Sequence, residues 1–202
     1  ITNEFVVEVN DHSSEGLTAI MVYAPKKLRS FGRTTAVLDQ LGLTVVDARI
    51  IPMKNSQTLN TYFVLENDGQ SISNTRRFQE IRTRILKALT ANTDKILIVN
   101  RRAPRQVRMF STEIQVNVSQ DHDNRRTVLE LVTGDRPGLL LQISKIFELH
   151  NVSLHNAKIT TLGEKAEDIF FITTSENLPL DAQLCDELIS TIKTTLSQPN
   201  KV

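Results

Sequence analysis

Hydrophobic and polar positions along this chain change period in a fixed order. Residues 17–24 are almost continuously apolar, with Leu17, Ile20, Met21, Val22 and Tyr23, and read as a strand. From Pro25 the apolar positions Leu28, Phe31, Leu38 and Leu41 fall at helical spacing, and Gly42 follows as a C-terminal stop. Residues 43–52 and 58–66 read as two strands, with the turn Asn67-Asp68-Gly69 after them. Ser73 or Asn74 then caps a second helix carrying Phe78, Ile81, Ile85 and Leu89 on one face. Residues 107–118 read as a closing strand.

The order then returns. Residues 127–133 predict a strand, and 137–150 a helix with Leu139, Ile143, Ile146, Phe147 and His150 at face spacing. Residues 152–162 and 166–175 predict two strands meeting at Gly163. Asp181 caps a last helix with Leu184, Leu188, Ile192 and Leu196. Three elements match between the copies in the same order: Leu28 with Leu139, Asp47-Ala48-Arg49-Ile50 with Asn156-Ala157-Lys158-Ile159, and Tyr62-Phe63 with Phe170-Phe171. Their spacing is about three times a solenoid period, so the pattern is a tandem duplication.

The fold class is therefore α+β: two tandem ferredoxin-like β-α-β-β-α-β units with antiparallel sheets and both helices on one face. The expected division is a leading strand or linker over 1–15, a first domain over 16–120 and a second over 121–198. The second copy lacks a final strand, and either borrows one from Phe5-Val6-Val7 or does without. Each sheet's uncovered face must be buried against something.

Composition narrows the class. The 202 residues are 40% hydrophobic and 23% charged, enough for real cores and against disorder. A formal net charge of +1 gives no reason to expect nucleic acid or an anionic membrane as partner. Cys185 is the single cysteine, so no internal disulfide forms, which suits a reducing cytoplasm; its helix position reads as core. No apolar run approaches the roughly 20 residues of a membrane span, and no signal peptide is visible. The start at Ile1, already strand-like by Glu4, reads as a piece cut from a longer protein. The arginines of 100–106 read as a solvated loop.

Candidate chemistry concentrates at Asp135-Arg136-Pro137-Gly138-Leu139, between strand and helix. Such a bend presents backbone N–H groups at a helix start and can hold a small anion. Gly138 and Leu139 N–H groups suit a carboxylate, and Gly138 lacks the Cβ that would bar close approach. Asp135 suits an ammonium, or else serves as an N-cap. Asn151, Ser153 and Asn156 offer donors and acceptors for a side-chain amide. Arg136, a further candidate contact, reads more readily as a surface residue. In the first copy Ala24, Pro25 and Lys27 replace Asp135, Arg136 and Gly138, leaving a weaker second site of Lys27, Leu28, Thr44 and Asp47. Asp121-His122-Asp123 lies in a polar turn without further ligands in order, and reads as solvated rather than metal-binding. No catalytic cluster is present, and the chain has no Gly-Ser pair of the kind a nucleotidyltransferase uses.

The strand–Asp135-Arg-Pro-Gly-Leu139–helix–strand pattern resembles the ACT domain, a small-molecule sensing module of metabolic enzymes. Residues 43–50, 59–65, 126–131, 158–164 and 167–170 together resemble the tandem ACT region of the bacterial bifunctional uridylyltransferase/uridylyl-removing enzymes. That resemblance implies a regulatory segment without catalysis that senses glutamine and shifts the balance of uridylylation and uridylyl removal on the PII protein. It implies upstream catalytic domains in the same chain, Mg²⁺ in those domains and no cofactor here. It also implies cytoplasmic location, ACT–ACT pairing within or between chains, and a ligand lying between the turn of one ACT domain and a strand edge of its partner. The alternatives are a packing or dimerisation module, or a free-standing amino-acid-binding ACT repeat protein.

Overall fold

The computed structural model describes residues 5–12, 16–25, 30–53, 56–91, 113–162 and 164–198. The chain divides into two compact units, Ile1–Arg101 and Arg102–Val202. The loop read over 100–106, the site residues Lys27 and Leu28, and the first part of the strand expected over 107–118 lie outside the described residues.

Unit one runs β1 (Val6–His12), β2 (Leu17–Pro25), α1 (Ser30–Gln40), β3 (Thr44–Pro52), β4 (Gln57–Leu65) and α2 (Thr75–Thr90). Its strands pair in the order β1-β2-β4-β3, all antiparallel. Alternate β4 residues Asn60, Tyr62 and Val64 are buried, as period-2 alternation over one covered face requires. Ile81, Ile85 and Leu89 of α2 are at most 1% exposed, so the face legible in the sequence is the face that packs. Asn74, rather than Ser73, is the cap: its Oδ1 accepts from the Arg76 N–H at 2.8 Å.

Unit two runs β5 (Gln115–Asp121), β6 (Arg126–Gly134), α3 (Leu139–Leu149), β7 (Val152–Leu162), β8 (Lys165–Thr174) and α4 (Ala182–Ser197). Within it the order is β7-β8-β6-β5, again antiparallel. Asp181 caps α4 by accepting from the Leu184 N–H at 2.8 Å. The Phe147 and Phe170 rings meet edge to face at 5.5 Å between α3 and the sheet, and Cys185 is buried.

Each unit therefore reads β-β-α-β-β-α. The sheet order of the expected fold is kept, but its fourth strand arrives from the N-terminal side. This overturns two strand assignments. The strand expected to close the first copy pairs instead with β6, from Gln115↔Val132 to Asp121↔Arg126. The leading strand, set apart as 1–15, pairs with β2 from Val6↔Tyr23 to His12↔Leu17. So β1 belongs to unit one and β5 to unit two, and the described chain leaves neither sheet short of a strand. The reason is loop entropy: strands joined by about four residues close into a hairpin at small cost.

The duplication reaches fine detail. The Thr18 hydroxyl accepts from the Ile72 N–H at 2.7 Å, and the Thr127 hydroxyl accepts from the Leu180 N–H at 2.8 Å. Both β3 and β7 carry a register shift, between Val45 and Asp47 and between Leu154 and Asn156. Gly42 (φ +74°) and Asn151 (φ +53°) both end the first helix of their unit in the left-handed region.

Candidate functional site

In unit two the chain leaves β6 at Gly134 and turns into α3 over four residues. The Asp135 N–H donates to the Glu164 carbonyl at 2.9 Å, fastening the turn to the β7–β8 hairpin. Gly138 is the N-cap, with φ +79°, and no side chain caps this helix. Its glycine answers a conformational need: a side chain there would meet the left-handed penalty. Asp135 is thus not the cap of α3.

The Leu139 N–H, expected to face a ligand carboxylate, donates instead to the Arg136 carbonyl at 3.2 Å. The Arg136 guanidinium is half-buried, folded back onto the end of α4. Its Nη1 donates to the Leu196 carbonyl at 2.9 Å and the Gln198 carbonyl at 3.4 Å, and its Nη2 to Gln142 Oε1 at 2.7 Å. A cation on the last carbonyls of α4 is matched to the negative end of that helix. Burial holds the Arg136 pKa below its ordinary value, and its Nε is buried without a hydrogen-bond partner.

The structure separates the other expected residues from this turn. Gly134 pairs with Lys165 at one end of β8, whereas Ser153 pairs with Thr173 near the other. Eight residues of strand at about 3.3 Å each put those positions roughly 26 Å apart. Asn151 is exposed, and its left-handed backbone accounts for an asparagine at the end of α3. Asn156 lies just past the β7 register shift, with its Oδ1 buried and unpaired. Asp47 occupies the matching place in β3, also with a buried, unpaired Oδ1, while its Oδ2 lies 3.6 Å from Arg49 Nη2. Thr44 is exposed at the start of β3.

One residue near the turn escaped the sequence reading. Asp168 lies on β8 between Ala166 and Phe170, on the helix-covered face, and is 2% exposed. Neither carboxylate oxygen has a hydrogen-bond partner. Burial pushes its pKa up to about 7. The Thr160 backbone N–H favours the charged form, though short of hydrogen-bond geometry, and the Asp135 charge raises the pKa further. The signal was available: an acid at the core parity of an alternating strand. In unit one the matching residue is Asn60, whose Nδ2 donates to Ser30 Oγ at 2.8 Å and to the Tyr62 hydroxyl at 3.3 Å.

Asp121 belongs to the β5–β6 turn, where its carboxylate accepts from the Asn124 N–H and Nδ2 at 3.1 and 2.8 Å, holding its pKa below the usual range. Among the described residues no three His, Cys, Asp or Glu side chains gather as a metal site, and no helix is long and apolar enough to cross a membrane.

The ACT domain family matches residues 127–189, spanning β6 to α4. Relatives match nearly the whole chain. It is 47% identical over 194 residues to the bifunctional uridylyltransferase/uridylyl-removing enzyme of Pseudomonas savastanoi pv. phaseolicola, covering 95% of this chain and 22% of that protein. The corresponding enzyme of Stutzerimonas stutzeri is 42% identical over 198 residues (97% of this chain, 22% of that protein), and that of Azotobacter vinelandii 45% identical over 185 residues (91% and 21%). The chain thus spans about a fifth of the length of the curated relatives it matches. It corresponds to the C-terminal tandem ACT-domain region of the bacterial bifunctional uridylyltransferase/uridylyl-removing enzymes.

Proposed function

We propose that this chain is a glutamine-sensing regulatory module that carries no chemistry of its own. In its parent it sets the balance between uridylylation and uridylyl removal on the PII protein, in the cytoplasm, by acting on catalytic domains of the same chain that use Mg²⁺. The observation that carries this reading is the near-complete coverage by relatives named for those two activities, joined to a matched ACT domain whose helix α3 starts at a left-handed glycine. The positive end of α3 favours the carboxylate of an amino acid, and a carboxylate on the turn favours its ammonium. Asn151, Ser153 and Asn156 lie too far from the turn of their own unit to touch the same glutamine, so any ligand contact of theirs is with a glutamine held by a different turn. Coupling to the catalytic domains requires glutamine to bind one conformation better than another, typically by about 1–3 kcal/mol.

A thermal-shift scan of the twenty amino acids, followed by calorimetry with L-glutamine, tests this. A glutamine-selective rise in melting temperature, abolished by Gly138→Val, is expected. No shift with any amino acid at millimolar concentration would leave a packing or dimerisation module as the reading.

A further inference from the structure

The start of α3, an 11-residue helix, offers partial positive charge to an anion. The Asp168 carboxylate lies on the same face of the sheet, three residues along β8 from the strand end where the turn is fastened. It is 2% exposed with both oxygens unpaired. An unpaired buried carboxylate is costly, and Asn60 shows that this fold accepts a neutral amide at the position. The two Nη groups of Arg136 are committed to α4 and Gln142, and its Nε is buried without a hydrogen-bond partner. Among the described residues there is no cluster of ligands for a divalent ion. What a single buried carboxylate suits is a small cation that donates hydrogen bonds, and an ammonium brings three donors.

We propose that Asp168 receives the ammonium group of a free amino acid whose carboxylate lies at the start of α3. The turn over 135–138 lifts to admit it, and Asp135 adds attraction from the rim. This rests on the reading that unit two holds an amino acid, and it moves the ammonium contact from Asp135 to Asp168. It also gives the binding event a moving part: the turn that lifts carries Arg136, which is fastened to the end of α4.

The test is calorimetry on this chain at pH 8 with L-glutamine and with 4-carbamoylbutanoate, which is glutamine without its amino group. Wild type is expected to prefer glutamine by about 10- to 150-fold, the range a hydrogen bond to a charged group supplies. Asp168→Asn is expected to lose that preference while binding the des-amino acid as before. The inference is overturned if Asp168→Asn keeps glutamine affinity within about threefold, or if wild type binds both compounds alike; the second outcome decides even if the variant does not fold. If wild type binds no glutamine, the glutamine reading fails and the amino-acid scan is run on both proteins. An amino acid that stabilises wild type but not Asp168→Asn upholds the ammonium site, and identical scans reject it.

Discussion

Unit one and unit two share a backbone plan but treat one interior position in opposite ways. At the middle of β4, Asn60 is 1% exposed and its amide donates to Ser30 and Tyr62, leaving only Oδ1 unpaired. At the matching place in β8, Asp168 is 2% exposed and unpaired, beside Phe170 where unit one has Tyr62. The repeated features are those the fold needs: the Thr18 and Thr127 hydroxyl bonds, the register shifts, and the left-handed residues Gly42 and Asn151. The divergent feature is one the fold does not need. A charged group kept at a cost, in the unit that carries the matched ACT domain, is where sensing is expected to reside.

The largest effect should come from putting the unit-two charge into unit one. Asn60→Asp removes the donors to Ser30 and Tyr62 and leaves a buried carboxylate with no cation facing it from Ser30, Thr58 or Tyr62. At pH 8 a loss of about 3–5 kcal/mol is expected by urea denaturation, as for other uncompensated buried charges. A loss below about 1 kcal/mol would mean that the two interiors are equivalent after all.

The reverse change, Asp168→Asn, should stabilise, and the sign depends on pH. The folded pKa of about 7 lies above the unfolded value of about 4. The folded state therefore binds the proton more tightly. Its stability is full below about pH 4, falls as pH rises through about 4 to 7, and is flat above. The group facing Asp168 with charge is Asp135, which steepens the fall, while Leu131 and Ile159 beside it are apolar. Three pH units at about 1.4 kcal/mol each bound the loss at about 4 kcal/mol. An unpaired amide takes back about 1–3 kcal/mol, so the variant should gain about 2 kcal/mol at pH 8 and lose the slope. Denaturation curves at pH 5 and pH 8 with the same slope in both proteins would contradict this.

These two positions also show what was legible in the sequence. The inner faces of α2 and α4, their caps Asn74 and Asp181, and six of the eight strands followed from period and turn chemistry, because Ile81, Ile85 and Leu89 or Leu188 and Ile192 have no other way to be buried. The first helix did not, since Pro25 ends β2 and α1 starts at Ser30 and buries Gly32, Thr34, Thr35, Ala36 and Val37 beside Leu38. The outer strands were misassigned, since Val6–His12 and Gln115–Asp121 look alike as strands and only pairing shows which sheet they join. Turn residues were legible as a cluster, but their roles were not. Arg136 turned inward because the carbonyls at the end of α4, 60 residues on, needed a donor. Asn151 and Ser153 were grouped with Gly138 although α3, about 16 Å long at 1.5 Å per residue, stands between them. Asp168 fell within the strand read over 166–175, where only the parity of Phe170 marks it as an acid facing the core.

A smaller effect separates the two left-handed helix ends from the left-handed helix start. Gly138→Ala places a Cβ at φ +79° and should cost about 1–2 kcal/mol. Asn151→Gly, at φ +53°, should be neutral within about 0.5 kcal/mol, because glycine meets the need that asparagine already tolerates. If Asn151→Gly instead weakened glutamine binding with unchanged stability, Asn151 would have a ligand role beyond its backbone.

The smallest effects concern two arginines that do the same work from different places. In unit one, Arg33 lies inside α1, and its Nη1 donates to the carbonyls of Ala88, Leu89 and Ala91 at the end of α2, at 3.2, 3.4 and 3.1 Å. In unit two, Arg136 reaches the end of α4 from the turn that precedes α3. Each removes orphan carbonyls at a helix C-terminus and opposes its dipole, so Arg33→Ala and Arg136→Ala should each cost about 0.5–1.5 kcal/mol. Stability alone would not tell them apart, but binding should. Arg33 donates to the end of α2 within unit one, so its loss should leave glutamine affinity in unit two unchanged. Arg136 ties the lifting turn to α4, so Arg136→Ala should loosen the turn and speed hydrogen exchange in the last turn of α4. Arg136→Lys should restore charge at the helix end without restoring the second arm to Gln142. If glutamine no longer altered exchange at the end of α4 in Arg136→Ala, while still doing so in Arg33→Ala, the turn-to-helix link would be the route by which binding leaves the site. Equal responses in both variants would confine Arg136 to capping, as in unit one.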